Sequence, residues 1–266
     1  MSDHFRRYLE HERFPRSNKY DPMWVFENEM GPNVLWQTEF LTDAMELKPG
    51  MRVLDMGCGR ALSSIFLAKE FGVRVVANDL WIEPTENWER IVGAGLEDLI
   101  IPIKAEAHQL PYAERYFDAA LCVDSYVYFG QDSDYARYFS RFVRRGGQIG
   151  ICNTMLRRSY GDAMAAGIPD YLEKWYAGLD LVYEIPDLKP ESINWTLDQW
   201  RETIGGSDSI KVENAEEMPD ACRNHVRFLA EHKAAGFTYR APDEADDWRR
   251  DDGANFTAGR IVGRVL

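Results

Sequence analysis

Asp55, Gly57, Gly59 and Asp79 are the residues whose types and spacing could do chemistry. Asp55 stands two residues before Gly57, and Asp79 closes a second apolar run, Val73-Arg74-Val75-Val76-Ala77-Asn78-Asp79. Neither glycine carries a Cβ, so the turn around Cys58 can bend sharply and bring backbone into van der Waals contact with a ligand. A carboxylate at the end of the second run can accept the hydroxyls of a ribose. Asp55 can engage an α-ammonium group directly or through water, and it would repel a pyrophosphate. A dinucleotide fingerprint would place a small residue at position 62, where this chain has Leu62. The implied ligand is a nucleoside that ends in an ammonium group.

Positioning these residues takes a βαβ unit: an apolar strand through Val53-Leu54, the glycine turn, an amphipathic helix, then the second strand. Residues 49–153 continue that alternation, which demands a parallel sheet with right-handed crossovers. The ligand site then falls at the strands' C-terminal ends.

Val53-Leu54-Asp55-Met56-Gly57-Cys58-Gly59-Arg60-Ala61 resembles the first motif of class I methyltransferases that use S-adenosylmethionine (SAM). Three further stretches resemble the same family, in its order. Ala105-Glu106-Ala107-His108-Gln109-Leu110-Pro111-Tyr112 is similar to the loop after its third strand, with Glu106 where Asp is commoner. Residues 116–125 resemble the fourth strand and its edge, and residues 144–151 the turn into the fifth. Ala61 departs from the pattern, standing where the family often has a third glycine.

The resemblance implies an α/β fold: a Rossmann-like, seven-stranded, mostly parallel sheet with helices on both faces, an antiparallel last strand and a helical cap. It implies SAM as cofactor, with Asp55, Gly57, Cys58, Gly59, Asp79, Leu80, Trp81, Glu106, Ala107 and Asp124 around it. Tyr20 is expected to fold over the methionine end, as leader tyrosines do in some members. Trp81 can line an adenine face or belong to the core. Asp124 and Tyr126, at the fourth strand's edge, and His108 are the candidate catalytic residues. Asp124 can stabilise positive charge, accept a proton or cap the next helix; His108 can act as a base, touch the nucleoside or stay solvated.

The remaining chain must frame this core. Residues 1–48 read as a helical leader or lid, with a helix over Val34 to Leu47 stopped by Lys48-Pro49-Gly50. Residues 154–205, rich in aromatic side chains from Tyr160, Trp175, Tyr176 and Tyr183 to Trp195 and Trp200, read as a cap insertion. Leader and insertion are expected to form the acceptor pocket together. Residues 206–266 complete the sheet within one structural domain. Thr196 is expected to cap a helix through Ile204, followed by a strand over 209–214, a helix over 219–235 and an antiparallel strand over 256–266. The charged run Asp243 to Asp252 reads as a solvated loop.

The chain has 266 residues, a net charge of -13 and an isoelectric point near 4.9. That field opposes phosphate backbones and anionic membranes, so nucleic acid and membrane are not expected partners, and small molecules are. Four cysteines without a Cys-x-x-Cys pair read as free thiols of a reducing cytosol, and no apolar run has membrane length. A homo-oligomer is compatible with this composition. No residue pattern calls for a metal: the Asp-Asn pair of metal-dependent catechol methyltransferases is missing, since Cys152 precedes Asn153. The Asn/Asp-Pro-Pro-aromatic motif of DNA amino methylation is also missing. The resulting expectation is methyl transfer from SAM to a small molecule at nitrogen, oxygen or carbon. A cyclopropane synthase-like enzyme acting on a lipid alkene, and a SAM-binding protein without turnover, are the alternatives; release of S-adenosylhomocysteine (SAH) separates the last from an enzyme.

Overall fold

The structure, a computed structural model, describes residues 7–177, 195–238 and 244–266. Five parallel strands come first: β1 (Arg52–Met56), β2 (Arg74–Asp79), β3 (Ile100–Lys104), β4 (Phe117–Val123) and β5 (Val143–Leu156). β6 (Ile210–Glu217) and β7 (Phe256–Val265) complete the sheet, and β7 runs antiparallel to both β5 and β6. The order β3-β2-β1-β4-β5-β7-β6 is the expected seven-stranded arrangement. After β1 the chain builds outward to β2 and β3, then returns to β4 on the other side. At that switch point the C-terminal ends of β1 and β4 leave a crevice, where open α/β sheets place their ligands.

The two-residue period of the strands divides the core between the faces of the sheet. Val53, Val75, Ala77 and Leu121 pack with α1 (Pro22–Asn28), α2 (Val34–Thr42) and α3 (Leu62–Phe71). Their neighbours Leu54, Ala120 and Cys122 pack on the other face with α5 (Ser133–Ser140) and α8 (Leu197–Gly205). The leader is anchored in the first of these layers: Leu9 and Phe14 are buried there beside Trp36. Between α3 and α5, α4 (Pro84–Gly93) places Ile91 in the same layer.

Thr196 caps α8 as expected, in a capping box with Gln199. α9 (Ala221–Ala234) falls within the segment expected for it, β6 starts in its expected segment and runs on past residue 214 to Glu217, and α2 is shorter than its sequence pattern. It ends at Thr42 because the chain tightens into turns, Ala44 N–H to Leu41 O and Met45 N–H to Thr42 O.

The charged run is not a solvated loop. Glu244–Asp251 forms α10, with Trp248 buried and stacked on Phe256 at 4.7 Å. The buried Asp251 carboxylate accepts N–H bonds from Asn255 and Phe256, which locks the helix end to the start of β7. In the insertion, α6 (Tyr160–Ala166) and α7 (Asp170–Ala177) lead to the same small cluster, through Ala163, Leu172 and Trp175.

Candidate active site

A cavity of about 580 Å³ opens at the switch point, a volume suited to a nucleoside with a small partner. Its floor is the glycine turn. Gly57 and Cys58 N–H both donate to Asn78 O, at 2.8 and 3.0 Å, and Gly59 N–H donates to Asp79 Oδ2 at 2.8 Å. Both glycines have positive φ, 70° and 52°. The neighbours that demand glycine are protein atoms: a Cβ on Gly57 would lie 2.5 Å from Ser125 Cβ, and one on Gly59 2.9 Å from Met30 Sδ. Ser125 is itself fixed, its hydroxyl donating to Met56 O at 2.8 Å. Asn87 on α4 closes the turn from outside by donating to Gly59 O at 2.9 Å.

Asp79 lies in the wall with Leu80, Trp81, Glu106, Ala107 and His108. Its Oδ1 accepts from Trp81 and Ile82 N–H at 2.8 and 3.0 Å, while among the described residues Oδ2 has only Gly59 N–H, leaving acceptor capacity for a hydroxyl. Leu80 and Trp81 are exposed at the rim, and Trp81 meets the Tyr128 ring edge-on at 5.4 Å. Glu106 accepts the Nδ1 hydrogen bond and the N–H of His108, both at 2.8 Å, and the exposed His108 ring meets Tyr135 edge-on at 5.0 Å, so this pair forms a braced turn at the mouth. Cys58 is buried in the wall, and that burial, with Asp55 and Asp79 nearby, pushes its thiol far up and keeps it protonated.

Across the cavity stands Asp124, at the end of β4 with φ 52°. Thr154 N–H and Oγ1 donate to its Oδ1 at 3.1 Å each, while Oδ2 faces the leader at Gly31. Burial pushes this carboxyl up from its ordinary value, against the opposing Thr154 bonds. Tyr128 and Phe129 continue the wall beside it, and the leader supplies Asn28, Met30, Gly31 and Pro32.

Several expected residues lie elsewhere. Tyr126 is 1% exposed and packed against Phe129, Tyr135, Phe139 and Trp200, so it is core and not a catalytic candidate. Its direction is set by the short helix Tyr126–Tyr128, which turns Tyr128 to the cavity instead. Tyr20 stacks between Trp24 and Phe66 on the leader side of the sheet, away from the cavity wall. Asp55 is buried behind the wall, where the Ser63 and Ser64 hydroxyls donate to its Oδ2 at 2.6 Å each; it reaches the cavity only through Ser63. Trp175 packs on Phe256 and Trp195 on Trp200, so these insertion rings anchor the cap and do not line the pocket. Tyr183 and the side chains of Tyr160 and Tyr176 lie outside the described residues. Asn78, Asn87 and the leader residues were not singled out from the sequence. Asn78 alone carried a signal: a polar residue inside an apolar strand must find partners, and it bonds Tyr112 OH at 2.7 Å and Ala105 O at 3.1 Å. Among the described residues no group of three His, Cys, Asp or Glu is arranged for a metal ion.

Known proteins resemble this arrangement. A family model described as a methyltransferase domain matches residues 53–147. Methyltransferase GfsG of Streptomyces halstedii is 28% identical over 135 residues, 50% of this chain and 49% of that protein. The chain thus aligns with about half the length of this relative. Phosphoethanolamine N-methyltransferase 2 of Haemonchus contortus, solved in complex with SAM, superposes with a TM-score of 0.68 at 17% identity, covering 98% of this chain and 59% of that one. The [4+2]-cyclase SpnF superposes with a TM-score of 0.62 at 17% identity, covering 85% and 78%. At such identities the structures establish the fold alone. The family match, the motif order and the sheet agree: residues 53–147 match the methyltransferase domain model, and the whole sheet has the fold of the SAM-dependent methyltransferases it superposes on.

Proposed function

We propose that the chain transfers a methyl group from SAM to a small-molecule acceptor, and that the acceptor is an amine. One observation carries the reading: the cavity that holds Asp79 and the glycine turn also holds Asp124, a carboxylate fixed by Thr154 in a wall that includes Tyr128 and Phe129. When bound, SAM supplies a methyl group made electrophilic by its sulfonium. The chain's part is alignment and exclusion of water. Asp79 holds the ribose, Trp81 and Ala107 flank the adenine, and Met30 and Pro32 roof the site from the leader. Asp124 attracts the acceptor's ammonium form, accepts one proton from it and leaves a neutral nitrogen to attack. The acidic balance of the chain, -13, favours a cationic acceptor over an anionic one. The setting of this reading is the cytosol, which is supported by four free, buried cysteines. The acceptor is free in solution, not lipid or nucleic acid.

The test is turnover of SAM against a panel of small amines, alcohols and carbon acids, read as SAH released. Methylation of amines is expected. Asp124→Asn should lower kcat by about 100-fold, the scale of a lost proton acceptor, with SAH affinity within about threefold of wild type. Because burial raises the Asp124 carboxyl from its ordinary value, the wild-type rate should fall as pH drops through that raised value, and the variant should lose this acid limb. Methylation of alcohols or carbon acids alone would refute the amine, and SAH binding without release on any acceptor would favour a non-catalytic binder.

A further inference from the structure

The described residues lining the cavity include three carboxylates, Asp79, Glu106 and Asp124, and one permanently charged cation, Arg60. SAM and SAH end in an amino acid, so both bring a carboxylate that must exchange water for a partner. Most N–H groups of the glycine turn are already committed. Gly57 and Cys58 N–H are committed to Asn78 O, Gly59 N–H to Asp79 and Ala61 N–H to Cys58 O. Arg60 follows that turn directly. Its Nη1 donates to Glu27 O in the leader at 3.1 Å, while its Nε is buried and meets no acceptor among the described residues. A buried guanidinium donor left without an acceptor is costly, and the planar fork of Arg matches a carboxylate.

We infer that Arg60 receives the amino-acid carboxylate of SAM and thereby fixes the methionine end of the donor beneath the leader. This rests on the SAM reading above. An acceptor's carboxylate is the other source of the same chemistry. The cofactor is favoured because Arg60 adjoins the glycine turn, whereas the acceptor carboxylate would have to share its space with Asp124 across the cavity.

Calorimetry on the full chain separates these cases with three ligands: SAH, decarboxylated SAH and 5′-methylthioadenosine, which lacks the whole amino-acid arm. Wild type should bind SAH about 10- to 100-fold more tightly than decarboxylated SAH, the range of a charge-assisted hydrogen bond. Arg60→Gln should lose SAH affinity by a similar factor, yet bind decarboxylated SAH and 5′-methylthioadenosine within about twofold of wild type. Arg60→Lys should restore part of the loss, since it keeps the charge and gives up the fork. A purely structural role would weaken all three ligands together, and that result overturns the proposal. So does an Arg60→Gln protein with wild-type SAH affinity and a raised acceptor KM, which would assign the anion to the acceptor. Should Arg60→Gln fail to fold, equal wild-type affinity for SAH and its decarboxylated form still refutes the inference. Wild type that binds no SAH refutes the SAM reading beneath it, a distinct outcome.

Discussion

Burial pushes the Asp55 carboxyl up to about 6, against the opposing bonds from Ser63 and Ser64 and with a smaller push from Asp79. Its unfolded value is near 3.9, so the folded chain holds this proton more tightly than the unfolded one. The stabilisation is full below about pH 4 and is lost as pH rises through about 6, amounting to about 3 kcal/mol. Asp55→Asn cannot ionise there. Its stability relative to wild type should therefore improve by about 2–3 kcal/mol between pH 4 and pH 7.5, measured by urea denaturation at both. A difference that does not change with pH would remove this account of Asp55. The same residue shows what the sequence leaves unseen. Spacing marks Asp55, Gly57 and Asp79 as one constellation, but not that Ser63 and Ser64 shield Asp55. Nor does it reveal that Ser125 forces glycine at position 57: that contact joins residues 68 positions apart along the chain.

At the scale of elements, the strands and crossover helices were legible because both faces of the sheet are buried and each strand reads as a short apolar run. The leader's role was less so. Its cavity residues, Asn28, Met30, Gly31 and Pro32, follow no periodic pattern and acquire their place from anchors elsewhere. Glu39 is one anchor: buried on α2, it accepts from Arg16 N–H, Ser17 N–H and Ser17 Oγ at 2.9, 2.7 and 2.7 Å. Arg90 is another, bonding Asn28 Oδ1 at 2.7 Å and Asn87 Oδ1 at 3.2 Å, so α4 ties the leader to the glycine turn. Phe14 is fully buried against Trp36. Phe14→Ala should lower stability by about 3–5 kcal/mol in urea denaturation, as for other large aromatic truncations. A change below about 1 kcal/mol would mean that the leader is a detachable lid. Deleting the leader is consequently a test of folding as much as of acceptor binding. The charged run at residues 244–251 misled for a related reason: its acids look solvated in sequence, while Trp248, Asp247 and Asp251 turn inward to the cluster around Phe256.

Across the whole molecule, the sheet order brings three distant stretches to one crevice: the turn after β1, the acid that ends β2 and the edge of β4. Among the described residues no helix is long and apolar enough to cross a membrane. The relation to Methyltransferase GfsG is confined to half of each chain, and the described cavity wall also draws on residues outside the matched stretch, Asn28, Met30, Gly31 and Pro32 of the leader. The claim that all of this serves one cofactor is tested most directly by titrating SAH into the wild-type chain and into Asp79→Ala, with thermal unfolding as a control for folding. The expected result is saturable one-to-one binding in the micromolar range, weakened at least about tenfold by the substitution at an unchanged fold, since a hydrogen bond to a charged group is worth about 1.5–3 kcal/mol. No saturable binding to folded wild type, or equal affinity in the folded variant, would contradict the assignment of this cavity to SAM.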